Sequence, residues 1–511
     1  MYSKIYSAAL AGMESFLVQV ESDVSDGLPH VEMVGALSSE TREARERVRT
    51  ALKNAGIRIP PKKITVNLAP ADRRKEGTGF DLAIAAGILV ALELVPLDSL
   101  KDAVVVGEVS LDGGVRGIRG ILAMADRIQR DGFQRFFVPR ENAREAAVIC
   151  GLDVIPVDSI GHLVSMLRRE PTEEMQKKLV WEEPSVGKEQ MGSLDFSQVG
   201  GQTVLKRAAE VACSGMHNFL MVGQAGAGKS MIAKRLPTIL PQLTREESVR
   251  ISTIYSVAGY LPPGQGLLTE RPFRSPHHTV TAAGLAGGGR YPRPGEISLA
   301  HGGVLFLDEL GEFRREVLET LRQPMEDRRL TLVRSGVSYQ FPADFMLVAA
   351  MNPCRCGFYP DRTLCHCTDN DVRNYLGKVS RPLLDRMDIC TQVGKVSYDD
   401  LSGGGESSQI IRERVEKTMA IQQQRFEGTP IRFNARIPAS LLDQYCPMEP
   451  TAERLLCQVY EKMNLSTRGL HSIRRVARTL ADMEGREIIG REQIQEAVFY
   501  RGPREKLWGG V

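Results

Sequence analysis

The chain has 511 residues, of which 42% are hydrophobic and 25% charged, and its net charge is +3. That length exceeds what a single core supports, so two to four domains are expected. The near balance of charge excludes a whole-molecule field that gathers nucleic acid, leaving only local basic patches for such contacts.

No stretch has the uninterrupted apolar length of a membrane span, and Met1-Tyr2-Ser3-Lys4-Ile5 does not open a signal peptide. A cytoplasmic protein is expected, with its nine cysteines serving as thiols or metal ligands. In chain order, Phe16-Leu17-Val18-Gln19-Val20 alternates as a strand does, and Ala44, Val48, Ala51, Leu52 and Ala55 mark one face of a helix ending at Gly56. Ile64 to Leu68 reads as a strand, Leu82 to Ala91 as a buried helix, and Ala103 to Ser110 as one buried strand. These make an α+β domain over residues 1–168. Residues 169–194, with Glu170-Pro171 and Glu183-Pro184, read as a linker.

The next domain, over 195–400, opens with Asp195 to Gln202 and a helix through Val204 to Ala212. Gly223-Gln224-Ala225-Gly226-Ala227-Gly228-Lys229-Ser230 then fits the phosphate-binding pattern G-x-x-x-x-G-K-[S/T], directly after the apolar run Asn218 to Val222 and before a helix. In that context the glycines turn backbone N–H groups inward on a polyphosphate. Lys229 places its charge on the β- and γ-phosphates, and Ser230 is a ligand of Mg²⁺. A second apolar run, Gly303 to Leu307, ends in Asp308 and Glu309. It reads as a central parallel strand that delivers Asp308 to Mg²⁺ through water and Glu309 to the attacking water, which makes ATP hydrolysis the expected chemistry.

Between these motifs, Arg271 to Glu296 is rich in glycine and proline, which forbids a long helix. Its adjacent His277 and His278 are expected to diverge, and this favours hydrogen-bonded loop packing over metal binding. Leu330 to Phe341 alternates around Arg334-Ser335-Gly336, a hairpin with glycine in its turn. Phe345 to Met351 is another buried strand, which puts Asn352 near the γ-phosphate. Cys354, Cys356, Cys365 and Cys367 form two C-x-C pairs around an eight-residue loop, a ligand set for one structural Zn²⁺ in which His366 is a competing ligand. Arg290 and Arg293 in the insertion and Arg334 at the hairpin turn offer local positive charge for nucleic-acid backbone phosphates or for contacts between subunits, and Tyr291 offers a ring for base stacking or for packing. A flexible break at Leu401 to Gly405 leads to a helical end over 401–511.

Two resemblances follow from these residues. Lys75-Glu76-Gly77-Thr78-Gly79, Gly107 to Val115 and Phe137 to Asn142 resemble the Lon-protease-like domain over residues 5–165, but its serine and lysine positions hold Gly79 and Leu122. This implies a non-proteolytic scaffold, since a nucleophile needs a base and an oxygen or sulfur. The phosphate loop, the insertion with Pro276-His277-His278-Thr279 and Arg293 to His301, Asp308-Glu309-Leu310, Asn352-Pro353 and Arg381 to Asp388 resemble the ComM/YifB family of magnesium-chelatase-like AAA+ proteins; Arg381 departs from the glycine expected there.

The family resemblance implies a P-loop AAA+ parallel sheet with a helical lid of the magnesium-chelatase C-terminal type, in a multidomain α/β protein. It also implies a ring, as a hexamer, in which Arg386 reaches the neighbouring subunit's γ-phosphate and Arg468 reaches nucleotide from the lid, with Arg474 and Arg475 as competing candidates. The implied activity is a DNA-remodelling motor, since ComM members are associated with branch migration on single-stranded or branched DNA. A chelatase-like metal-insertion motor and a nucleotide-gated scaffold are the alternatives.

Overall fold

The computed structural model describes residues 1–168, 194–289, 292–334, 336–394 and 405–508. Of the expected linker only Leu194 falls within these, and of the glycine break only Gly405. Among the described residues no helix is long and apolar enough to cross a membrane.

The N-terminal domain is built on β1 (Tyr2–Ala11), β2 (Glu14–Ser25), β3 (His30–Val34), β4 (Lys63–Ala69), β5 (Ala103–Val105), β6 (Glu108–Val109), β7 (Val115–Arg116), β8 (Arg135–Pro139) and β9 (Asp153–Val157). All but β6 and β7 form one sheet in the order β3-β4-β2-β1-β5-β8-β9. The hairpin β1–β2 pairs along its whole length, Tyr2 opposite Asp23 and Ala11 opposite Glu14. The helix Ser39–Asn54 starts where the Ser38 hydroxyl accepts the Thr41 N–H, and this sets its apolar face, Ala44, Val48, Ala51 and Leu52, inward. Asp81–Ala91 packs between that helix and β1–β2 and is buried on every side, which is why its sequence is apolar all round.

The expected single strand Ala103 to Ser110 is broken. At Gly107 the backbone takes φ +155° and its N–H bonds Gly79 instead of a sheet neighbour, so the chain leaves the sheet after β5 and pairs again as the small ribbon β6–β7. The apolar run continues across the break because both pieces are buried, and a run of that kind carries no mark of the bend.

The central domain contributes β10 (Phe219–Gly223), β11 (Phe273–Arg274), β12 (Gly287–Gly288), β13 (Arg293–Pro294), β14 (Val304–Leu307), β15 (Arg329–Arg334), β16 (Val337–Pro342), β17 (Met346–Met351) and β18 (Ile389–Val393). Five of these make an all-parallel sheet in the order β11-β14-β17-β10-β18. Helices cover it, so its inner strands are apolar on both faces, as the residues of β10, β14 and β17 are. The C-terminal helices Ser408–Arg425, Pro450–Lys462, Thr467–Met483 and Arg491–Phe499 share one apolar core with the helices Thr203–Gly215 and Lys229–Ile239, through Leu205, Ile232, Val415, Ile473 and Leu480 among others.

The N-terminal domain docks on the central one through a polar knot inside an apolar seam. Glu145 accepts from the Ser256 hydroxyl and from the Leu122 N–H at 2.9 Å, and the Gly120 N–H bonds the Ser256 carbonyl at 3.0 Å. Leu267 packs on Leu122 and Val148 beside it. Burial raises the Glu145 carboxyl above its usual range, and the hydrogen bonds it accepts offset part of that.

His301, just before β14, accepts the Asp344 N–H on Nδ1 at 3.0 Å, which requires the neutral ring. Burial pushes its pKa down from 6.5 to about 4, with Asp344 opposing. A folded pKa below the unfolded one gives stability that is complete above the unfolded value and is lost as pH falls through the folded value. We therefore expect the melting temperature to decline between pH 6.5 and pH 4, and His301→Asn, which keeps an acceptor but does not titrate, to flatten that part of a pH series of melting curves.

Candidate nucleotide site

Three neighbouring strands end at one edge of the central sheet and carry the site. β10 lies between β17 and β18, and β17 lies between β10 and β14, with Val222 opposite Met351 and Leu307 opposite Ala349. The residues after each strand therefore meet. Gly223 comes so close to β18 that a Cβ on it would lie 2.5 Å from the Val393 carbonyl oxygen. Gly226 and Gly228 have open space but positive φ, +78° and +86°, so there it is the conformation that calls for glycine. The loop turns straight into the helix Lys229–Ile239, whose first N–H groups have no side-chain cap.

Lys229 is 7% exposed, and its ammonium donates to the Gly223 and Gln224 carbonyls, each at 2.7 Å, and to Asn352 Oδ1 at 3.3 Å. Burial lowers its pKa and Asp308 opposes the shift. The Ser230 hydroxyl donates to Asp308 Oδ2 at 2.7 Å, and Asp308 Oδ1 accepts the Glu309 N–H at 3.0 Å. Glu309 itself adopts the left-handed conformation, φ +52°, and its side chain is exposed. The phosphate loop from Gly223 through Gln224, Ala225, Gly226, Ala227 and Gly228 to Ser230 thus lies beside Asp308, Glu309 and Asn352.

One neighbour of Glu309 was not foreseen. His278 Nδ1 lies 3.6 Å from the Glu309 carboxylate, and the His278 ring sits 4.0 Å from that of His277, centroid to centroid, with an angle of 35° between them. The two rings therefore do not diverge as expected but lie in tilted contact, with Phe313 at the edge of His278 and Thr279 hydrogen-bonded to His277 at 2.9 Å. The pairing of β11 with β14 brings this loop to Glu309, and nothing local in the sequence marks it.

The four cysteines converge. Their sulfurs lie within 4.8 Å of one another, and the separations Cys354–Cys356, Cys356–Cys365 and Cys354–Cys365 are 3.3, 3.5 and 3.8 Å. A tetrahedral ion with thiolate bonds of about 2.3 Å needs edges of about 3.8 Å, so the donor set fits zinc's usual geometry without His366. The Phe358 N–H lowers the Cys356 thiol to about 6, while burial pushes the Cys365 thiol up to about 12.

The two arginines expected to reach nucleotide are elsewhere. Arg386 and Arg468 line a cleft of about 770 Å³ together with Asn218, Asp388 and Arg475, at the starting ends of β10 and β18. Both pair with the same carboxylate, Glu326, which lies 2.5 Å from Arg386. The length of β10, roughly 16 Å for five residues, separates this cleft from the phosphate loop of the same chain. Arg474 pairs with Asp443 at 2.7 Å. Arg293 is exposed on the ribbon β12–β13, and Arg334 is exposed at the hairpin tip opposite Val337, with Val333 and Val337 exposed beside it. Arg290, Tyr291 and Ser335 lie outside the described residues.

Comparison with known proteins agrees with this arrangement. Residues 195–401 match the family model "Magnesium chelatase, subunit ChlI", residues 405–501 match its C-terminal model, and residues 20–142 match "Subunit ChlI of Mg-chelatase". The competence protein ComM of Haemophilus influenzae is 36% identical over 505 residues, 97% of each chain. The chain belongs to the ComM/YifB family of magnesium-chelatase-like AAA+ proteins. YifB of Escherichia coli, described as uncharacterised, is 37% identical over 509 residues, 98% of this chain and 97% of that one. An uncharacterised protein of Mycobacterium tuberculosis is 37% identical over 500 residues, 98% of each. Membership implies an ATPase that uses ATP and Mg²⁺, and the contacts of Lys229, Ser230 and Asp308 suit both.

Glu309→Gln removes the carboxylate and leaves every described contact of Lys229 and Ser230 in place. We expect ATP affinity within a few-fold of wild type and turnover reduced by about a hundredfold or more, read by equilibrium binding of a fluorescent ATP analogue and by phosphate release.

Proposed function

We propose that the protein is a ring-forming, ATP-driven DNA-remodelling motor, a helicase or branch-migration factor working as a hexamer in the cytoplasm. The observation that carries this reading is the separation of the site's parts. Lys229, Ser230, Asp308, Glu309 and Asn352 occupy one end of the parallel strands, and Arg386 and Arg468 the other. A chain that cannot bring its own arginines to its own phosphates completes the site with those of a neighbour, and a repeated head-to-tail contact of that kind closes into a ring. Arg386 then stabilises the charge that develops on the neighbour's γ-phosphoryl group, and Arg468 assists from the lid.

DNA is the substrate that best suits the exposed elements of the central domain. Arg334 at the tip of the hairpin and Arg293 and Arg290 of the insertion supply phosphate contacts without base readout, which gives binding that is salt-dependent and indifferent to sequence. The name of the Haemophilus relative, a competence protein, agrees with work on DNA. The family models named for magnesium chelatase keep a metal-insertion motor as the second reading. In the Lon-like reading of the N-terminal domain, Gly79 and the buried Leu122 stand at the catalytic positions, and the nearby Thr78 hydroxyl donates to Glu108, so the domain acts as a platform rather than a protease. We assign the four-thiol cluster to one structural zinc.

Arg386→Ala should still assemble, while ATP turnover falls by about three powers of ten. Size-exclusion chromatography and phosphate release check this, and normal turnover in assembled rings moves the role to another residue. Replacing Arg290, Arg293 and Arg334 together by alanine should abolish DNA stimulation of turnover and branch migration while basal ATPase persists. Unchanged migration of branched DNA in the same salt buffer refutes the DNA path, and stimulation by porphyrin instead of DNA supports the chelatase reading.

A further inference from the structure

We propose that the four-thiol metal site forms one wall of the nucleotide pocket, so that zinc and ATP stabilise each other's binding. The proposal rests on the assignment of zinc to the thiols and of ATP to the phosphate loop, and three links between the two carry it.

The first link is covalent. Asn352, whose Oδ1 lies 3.3 Å from the Lys229 ammonium, is separated from the fully buried Cys354 by Pro353 alone. Proline fixes its own φ, so little slack remains between the amide that faces the phosphates and the first metal ligand. The second link is proximity of two backbones. Gly357, with φ +86° and its N–H on the Cys354 carbonyl at 3.1 Å, faces the phosphate loop closely enough that a Cβ added to it would reach van der Waals distance, 3.9 Å, of the Ala225 nitrogen. The third leaves from the last ligand. Thr368 follows Cys367 and caps the helix Asp369–Leu376, and that helix presses the Tyr375 ring onto Gly311, where a Cβ would come within 2.7 Å of it. Gly311 lies two residues after Glu309, and Lys378 donates to its carbonyl at 2.8 Å.

From Cys354 to Cys367 the chain forms turns and no helix or strand. A segment without a backbone ladder of its own is ordered by what its side chains bind, and for four converging thiols the binding energy of a metal is folding energy. Loss of the metal lets the segment around Gly357 move away from the phosphate loop and loosens Asn352 and the turn after Glu309 together. By linkage, whatever zinc contributes to ATP binding ATP returns to zinc binding.

The test uses the full-length protein purified with zinc and an organomercurial thiol reagent that displaces the metal, with zinc release read by a chromogenic zinc indicator. Saturating ATP with Mg²⁺ should slow release about tenfold in wild type, and the metal-stripped protein, still folded by circular dichroism, should bind ATP about tenfold more weakly and recover on reloading with zinc. Lys229→Ala, which binds ATP poorly, should release zinc at one rate with and without nucleotide. Equal release rates in wild-type protein shown to bind ATP overturn the coupling, as does an ATP effect of the same size in Lys229→Ala. Protein that contains no stoichiometric zinc by elemental analysis overturns the metal assignment itself and leaves the ATP site standing.

Discussion

Lys229 holds a positive charge where only 7% of the residue is exposed, and its hydrogen-bond partners among the described residues are two carbonyls and one side-chain amide. A buried ammonium without a carboxylate in contact is under-compensated, and burial duly lowers its pKa. Polyphosphate supplies the missing negative charge in a place where water competes little. The arrangement demands that β10, β17 and β14 end together, because the ammonium is held by the turn after one strand and by the side chain after another, while Asp308 is supplied by a third. The apolar inner strands and the helices that cover them are what keep those three ends in register.

The same parallel sheet separates the phosphate loop from a cluster of arginines. Its other edge opens into the cleft of Arg386 and Arg468, where Glu326 neutralises both guanidinium groups at once. The Arg386 Nε remains buried without a hydrogen-bond partner among the described residues. The lid, including the helix that carries Arg468, shares a single apolar core with the helices that flank the phosphate loop.

The N-terminal domain is held to the central one by Glu145, Ser256 and the backbone around Gly120. The turn between β1 and β2 also reaches the hairpin: a Cβ on Gly12 would lie 2.8 Å from the Tyr339 ring, and Met13 packs beside it. This contact ties the N-terminal domain to the element that carries Arg334.

Much of the site could be read from the chain alone, because its signals are local. Gly223 to Ser230 encode their own backbone path, an apolar run ending in Asp308 and Glu309 encodes a strand that delivers acids to an edge, and the cysteine spacing encodes a shared ligand set. Helix faces and the hairpin around Gly336 were legible for the same reason, since periodicity and turn chemistry act over a few residues. The bend at Gly107 was not, because a glycine inside an apolar run does not reveal that its N–H will bond Gly79. Nor were the approach of His278 to Glu309, the meeting of Arg386 and Arg468 on Glu326, or the nearness of Gly357 to the phosphate loop. Those pairs join residues tens to more than a hundred positions apart, and only the order of strands in the sheet and the packing of the lid decide which of them touch.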